Sequence, residues 1–93
     1  MFADLDSLLT DIFKNINTLL KVHHYTVTNL SKETEIAEHL LNDFLTGRNL
    51  HALDLDEYIS ISYVLKIPLN WIFMPHGMLK EALRENNLDA DPT

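Results

Sequence analysis

Residues that interrupt helices are rare in this chain, and all of them lie from residue 47 onward. Only two glycines and three prolines occur among the 93 residues. Long stretches of helix-forming residues separate them, and no stretch alternates apolar and polar residues long enough to indicate a strand. Hydrophobic residues make up 46% of the sequence, which is enough for a packed core. The sequence therefore predicts an all-α fold, a compact single domain (residues 1–93) of four to six helices.

Apolar spacing and capping residues predict where these helices begin and end. From about Phe2 to His23 apolar residues recur every three or four positions, as on one face of an α-helix. Thr26 is placed to cap a short helix over residues 27–34, and a third helix is expected over residues 37–45.

The second half of the chain contains further helix signals. Asp54, with Glu57 three residues later, predicts a capping box at the start of a fourth helix. The buried face of that helix is expected to consist of Tyr58, Ile59, Ile61, Ser62 and Leu65. Pro68 would open a fifth helix that Pro75 and Gly77 end. Residues 78–86 could form one more helix, and residues 87–93 are expected to fray.

A helix, a tight turn and a second helix follow one another between Val27 and Leu45. The turn comprises Thr34–Ala37, and Ser31 supplies a small residue where the two helices would cross. The segment Phe44–Arg48 then closes the second helix with a glycine. After a loop come Asp56–Leu65 and the closing stretch Ile67–Phe73.

This order resembles the helix-turn-helix domains of the Cro and lambda-repressor family, also called the XRE family. The resemblance covers about residues 12–73 and implies a DNA-binding transcriptional regulator whose recognition helix, residues 37–45, enters the major groove. Its outward positions, which would read bases, are Glu38, His39, Asn42 and Asp43. Residues placed to contact phosphates are Lys32, Arg48 and Asn49.

Proteins of this type commonly bind as dimers, and an apolar stripe could supply the contact. The expected dimer interface is Phe2, Leu5, Leu9, Met78 and Leu79. The alternative is that the long first helix packs only against its own core. We favour a homodimer on double-stranded DNA.

Several departures from the family pattern weaken the DNA-binding prediction, and those at Val27 and Ala37 favour a different class of function. Val27 replaces a common phosphate-binding glutamine, Ala37 replaces a capping serine, and Glu35 replaces the turn glycine. The chain also carries a net charge of −7, whereas nucleic-acid binders usually have a basic face. The alternative function is a protein–protein interaction module, such as an antirepressor or a partner of a regulator, on a scaffold that no longer binds DNA.

Other classes of function find little support in the sequence. The chain has no cysteine, and its histidines lack convincing metal-ligand spacing. No glycine-rich phosphate loop or nucleophile motif indicates an enzyme. No cofactor is expected. No apolar stretch is long enough to span a membrane, and we expect a cytoplasmic protein.

Overall fold

The computed structural model describes residues 5–85, and within this range it contains six helices and no strand. The helices are α1 (Leu5–Val22), α2 (Val27–Thr34), α3 (Glu38–Leu45), α4 (Leu55–Leu65), α5 (Asn70–Phe73) and α6 (His76–Glu85). The radius of gyration is 12.6 Å, close to the ~12 Å expected for a compact domain of this length. The prediction of a compact all-α chain is confirmed.

Helix α1 forms one side of the core and contacts α3, α5 and α6, while α2 packs against α3 and α4. The buried face of α1 includes Ile12, Ile16 and Leu19, in the three-to-four spacing predicted from the sequence. An aromatic chain crosses the core from α1 to α5: Phe13, Phe44, Tyr58 and Phe73 lie in successive ring contacts with centroids 5.6–6.1 Å apart.

Two helices begin where their capping residues predict. The Thr26 hydroxyl accepts a hydrogen bond from the Asn29 amide at 3.1 Å, and α2 follows. The Asp54 carboxylate accepts from the Glu57 amide at 3.1 Å, and the Glu57 carboxylate accepts from the Asp54 amide at 2.9 Å. This reciprocal capping box satisfies two backbone donors at the start of α4.

A fully buried asparagine joins the two ends of the fold. Asn15 in α1 donates from Nδ2 to the carbonyl oxygens of Ile72 (2.8 Å) and Met74 (2.7 Å). Its Oδ1 lies 2.8 Å from Nδ1 of His76. Because Nδ2 is already the donor to two carbonyls, Oδ1 is the acceptor and the imidazole Nδ1–H donates. One side chain thus holds α5, the α5–α6 connection and the start of α6 against α1.

Several predicted boundaries differ from the structure. Helix α5 is only four residues long, and Gly77, predicted to end it, lies inside α6. Ile59, predicted on the buried face of α4, is 45% exposed. Helix α3 begins at Glu38, and Ala37 precedes it without a side-chain cap. The first four residues and the predicted fraying tail lie outside the described residues.

Candidate nucleic-acid interface

The connection between α2 and α3 is short and closed by local hydrogen bonds. Glu35 adopts the left-handed conformation with φ 62°, and its amide donates to the Ser31 carbonyl at 2.9 Å. The Ser31 hydroxyl donates to the Ile36 carbonyl at 2.6 Å. Ile36 and Leu30 are buried beneath the turn. The small residue predicted at the crossing therefore also satisfies a carbonyl of the turn.

Helix α3 has one buried side and one exposed side. Leu41, Phe44 and Leu45 are buried in the core, so the opposite side faces outward over a length of ~12 Å. Three of the four predicted base-reading residues, Glu38, His39 and Asn42, are exposed there. An asparagine amide and an imidazole both provide hydrogen-bond groups that can meet base edges.

The fourth residue, Asp43, is half-buried and forms an ion pair with a predicted phosphate-binding residue. The Arg48 guanidinium lies 3.5 Å from the Asp43 carboxylate and is largely exposed. Asn49 is held in the same loop, since its amide donates to the Asp43 carbonyl and its Oδ1 accepts from the His51 amide. The structure thus groups Asp43, Arg48 and Asn49 at the end of α3.

The position of this loop depends on a glycine packed against an aromatic ring. Gly47 adopts φ +76°, and a Cβ atom there would lie 3.2 Å from the Phe13 ring. A larger residue would meet both the strained backbone and the ring. Gly47 therefore fixes where Arg48 leaves the end of α3.

Residues on the first turn of α2 also belong to this surface, although the sequence did not single them out. Thr28 and Asn29 are exposed, and the Thr28 hydroxyl contacts the Glu38 carboxylate at 3.3 Å. The first turn of α2 carries no acidic residue, so its amides other than that of Asn29, which donates to Thr26, can meet an anion. The capping Thr26 was the signal that could have identified this turn.

The segment that contains α2, the turn and α3 is mildly negative. Between Thr26 and His51 the acids are Glu33, Glu35, Glu38 and Asp43, and the bases are Lys32 and Arg48. With neutral histidines the sum is −2. Lys32 is exposed near the end of α2. On α3 and at its end the charged groups are Glu38 and the Asp43–Arg48 pair.

The predicted dimer residues divide into two groups. Leu9 and Leu79 are buried in the core of this chain, where α1 contacts α6, so they are not surface residues. Leu5 and Met78 are more than half exposed. Phe2 lies outside the described residues. Of the predicted dimer residues that the structure describes, Leu5 and Met78 are therefore the two exposed enough to contact a second copy.

Searches of protein-family models, curated proteins and solved structures found no match for this chain. Within residues 5–85, no three acidic, histidine or cysteine side chains are grouped so as to hold a metal ion. In the same range, no helix is long and apolar enough to cross a membrane.

Proposed function

We propose that the chain is a sequence-specific DNA-binding transcriptional regulator of the lambda-repressor-like type, acting in the cytoplasm as a homodimer. The observation that supports this most directly is the exposed side of α3 beside a tight turn. His39 and Asn42 stand there on a helix whose other side is anchored by Leu41 and Phe44. A helix presented in this way suits the major groove, which is ~12 Å wide.

The electrostatics set the expected strength and salt dependence of binding. Arg48 would exchange its contact with Asp43 for a phosphate, and Lys32 would supply a second phosphate contact. Two contacts per protomer correspond to a slope of log K against log salt of about −1.8, or about −3.6 for a dimer. Such a slope is shallow for a DNA-binding protein, and affinity would depend strongly on base contacts and on the α2 amides.

A selection from randomised duplexes tests the proposal whatever the target sequence is. The immobilised protein is incubated with 20-base-pair duplexes at about 50 mM salt, where phosphate contacts are strong, and the enriched pool is sequenced. Fluorescence anisotropy on an enriched duplex then gives affinities for the wild type and variants. Asn42→Ala should weaken binding about tenfold or more, because a bidentate base contact contributes about 1–3 kcal/mol.

Matched variants separate the loss of a base contact from changes in affinity that do not depend on the DNA sequence. Asn70→Ala changes an exposed asparagine on α5 and should leave the affinity unchanged. Asp43→Asn should raise the affinity for enriched and random duplexes alike, since it removes a carboxylate beside Arg48. An unenriched pool, or equal affinities for Asn42→Ala and Asn70→Ala, would contradict the proposal.

A second function is favoured by the same charge distribution. The segment from Thr26 to His51 has a net charge of −2, and Glu38 lies at the start of α3, where a regulator would approach the DNA backbone. A protein–protein interaction module on this scaffold would tolerate both features. A failed duplex selection would favour this function.

A further inference from the structure

Helix α4 carries a line of exposed apolar side chains that the DNA-binding proposal does not use. Leu55, Ile59 and Tyr63 are 57%, 45% and 84% exposed. They are four residues apart, so they lie along one side of the helix over ~12 Å. Scattered exposed apolar residues are ordinary on protein surfaces, but a continuous line of them indicates an interaction site.

This line borders a groove between α4 and the end of α2. The groove has a volume of about 400 Å³ and is open to solvent. Its residues are Glu33, Thr34, Glu35, Ile59, Ser60, Tyr63 and Val64; we call this set the α4 groove. The α4 side is mainly apolar. The α2 side carries two carboxylates, and one of them, Glu33, accepts a hydrogen bond from Tyr25 at 2.8 Å.

We propose that the α4 groove binds an amphipathic helix with basic residues beside its apolar stripe, supplied by a partner protein. Apolar residues at helical spacing on the ligand would pack on Ile59, Tyr63 and Val64, as in other helix-in-groove complexes. Lysine or arginine side chains next to that stripe would lie against Glu33 and Glu35. The chain's net charge of −7 would also attract such a ligand over a longer range.

A second copy of this chain fits the α4 groove less well. Pairing two α4 grooves would bring the Glu33 and Glu35 carboxylates of both copies into one interface, with like charges facing each other. The three exposed side chains also offer roughly 400 Å² of surface, about half of the ~800 Å² that each partner of a standard interface buries. A single helix laid in the groove needs less area than a stable dimer.

The chain's own ends are also poorly suited to the groove. The segment 86–93 contains two aspartates, no lysine or arginine, and one leucine. The segment 1–4 contains one aspartate and no lysine or arginine. Neither segment complements the two carboxylates. DNA is unsuited for the same reason, since its phosphates would meet an acidic wall.

The test uses designed peptides and the full chain. The probe is a fluorescein-labelled 15-residue peptide with leucines at i, i+3, i+4 and i+7 and lysines at the flanking positions. One control peptide has glutamates in place of the lysines. A second control peptide has the same leucines and lysines in a different order, so that the leucines are spread around the helix and form no apolar stripe. Anisotropy gives the affinities, and amide chemical-shift changes in the ¹⁵N-labelled protein locate the binding site.

Matched variants test the apolar and the acidic parts separately. Tyr63→Ser removes the most exposed apolar side chain of α4, and Tyr63→Phe, which keeps the ring, is its control. Glu33→Gln with Glu35→Gln removes the acidic wall, and Glu81→Gln with Glu85→Gln makes the same charge change on α6.

The leucine–lysine peptide should bind with a Kd in the micromolar range, and both control peptides should bind at least about tenfold more weakly. Tyr63→Ser should weaken binding about tenfold, as expected for a buried aromatic contact, and the acidic double variant should weaken it several-fold. Chemical-shift changes should cluster on α4 and the end of α2, and both Tyr63→Phe and the α6 double variant should behave as the wild type.

Four outcomes would overturn the proposal. The first is no peptide binding. The second is equal loss of affinity in the groove variants and their control variants, which would indicate general charge attraction or nonspecific binding. The third is equal binding of the reordered peptide. The fourth is a wild-type dimer in sedimentation velocity that Tyr63→Ser dissociates, which would make a second copy the occupant. None of these results depends on whether α3 binds DNA.

Discussion

Replacing Asn15 by alanine should destabilise the fold far more than its small change in volume suggests. The substitution removes three hydrogen bonds, to the carbonyls of Ile72 and Met74 and from the imidazole of His76. Each buried polar group left without a partner costs about 1–3 kcal/mol. The imidazole and the Met74 carbonyl lie near solvent and can regain water, so we expect a total loss of about 3 kcal/mol.

That loss is a large part of the roughly 5–15 kcal/mol that stabilises a domain. For a chain of this size it should lower the Tm by about 12–24 °C. Urea unfolding followed by circular dichroism and by Trp71 fluorescence measures it, and Trp71 also reports on α5 directly.

Asn17 provides a matched control on the same helix. Its Nδ2 donates to the Leu45 carbonyl at 2.8 Å, and the side chain is half-buried. Asn17→Ala should cost about 1 kcal/mol, and both variants gain the same helix propensity. If the two variants lose the same free energy of unfolding within about 0.5 kcal/mol, then Asn15 does not hold the two ends of the fold together as argued.

Three further predictions concern single groups. The Tyr58 hydroxyl is buried without a hydrogen-bond partner, and its burial, together with the nearby Glu57 and Asp54 carboxylates, raises its pKa to about 12. Tyr58→Phe should therefore leave the free energy of unfolding unchanged or raise it by about 1 kcal/mol. A clear loss of stability in urea unfolding would contradict this prediction. Glu35→Gly should stabilise the fold by about 1 kcal/mol, because glycine adopts φ 62° without the cost of a Cβ; a lower urea midpoint would contradict this. Burial, then Lys80 and Lys14, lowers the pKa of His76 despite an opposing effect of Asp11. The unfolded chain therefore binds more protons below pH ~6.5, and stability should fall as the pH drops through that range; His76→Gln should show a weaker fall in urea titrations at pH 7 and pH 5, and an equal fall would refute the assignment.

Local signals predicted the helices that depend on local contacts. Thr26 and the Asp54–Glu57 pair act within one turn, so the starts of α2 and α4 could be read from the sequence. The sequence also predicted a helix at α5, but not its short length of four residues, because the carbonyls of Ile72 and Met74 are held by Asn15, more than fifty residues away.

The surface was predicted less well than the core. Helix α4 is apolar on two sides, and periodicity alone does not tell which side packs against α2. The prediction that Ile59 is buried is therefore wrong, since its side chain is 45% exposed. The Asp43–Arg48 pair spans the end of α3 and the turn at Gly47. Its five-residue spacing is not a helical pairing, and only the folded loop brings the two side chains together. Leu9 and Leu79 are buried, whereas the nearby Leu5 and Met78 are exposed. Which of these residues faces the core depends on the exact rotation of α1 and α6 about their axes.

The contact of α1 with α5 and α6 has a consequence for synthesis on the ribosome. Helix α1 is synthesised before α5 and α6, but part of its apolar face is covered only by these two later helices. Until α6 is available, Asn15 lacks the His76 imidazole, and the core lacks the buried Leu79 and Leu83. Messages truncated before α6 should therefore yield chains that are degraded or that aggregate, and a pulse-chase comparison of chains ending at residues 74 and 86 would show this.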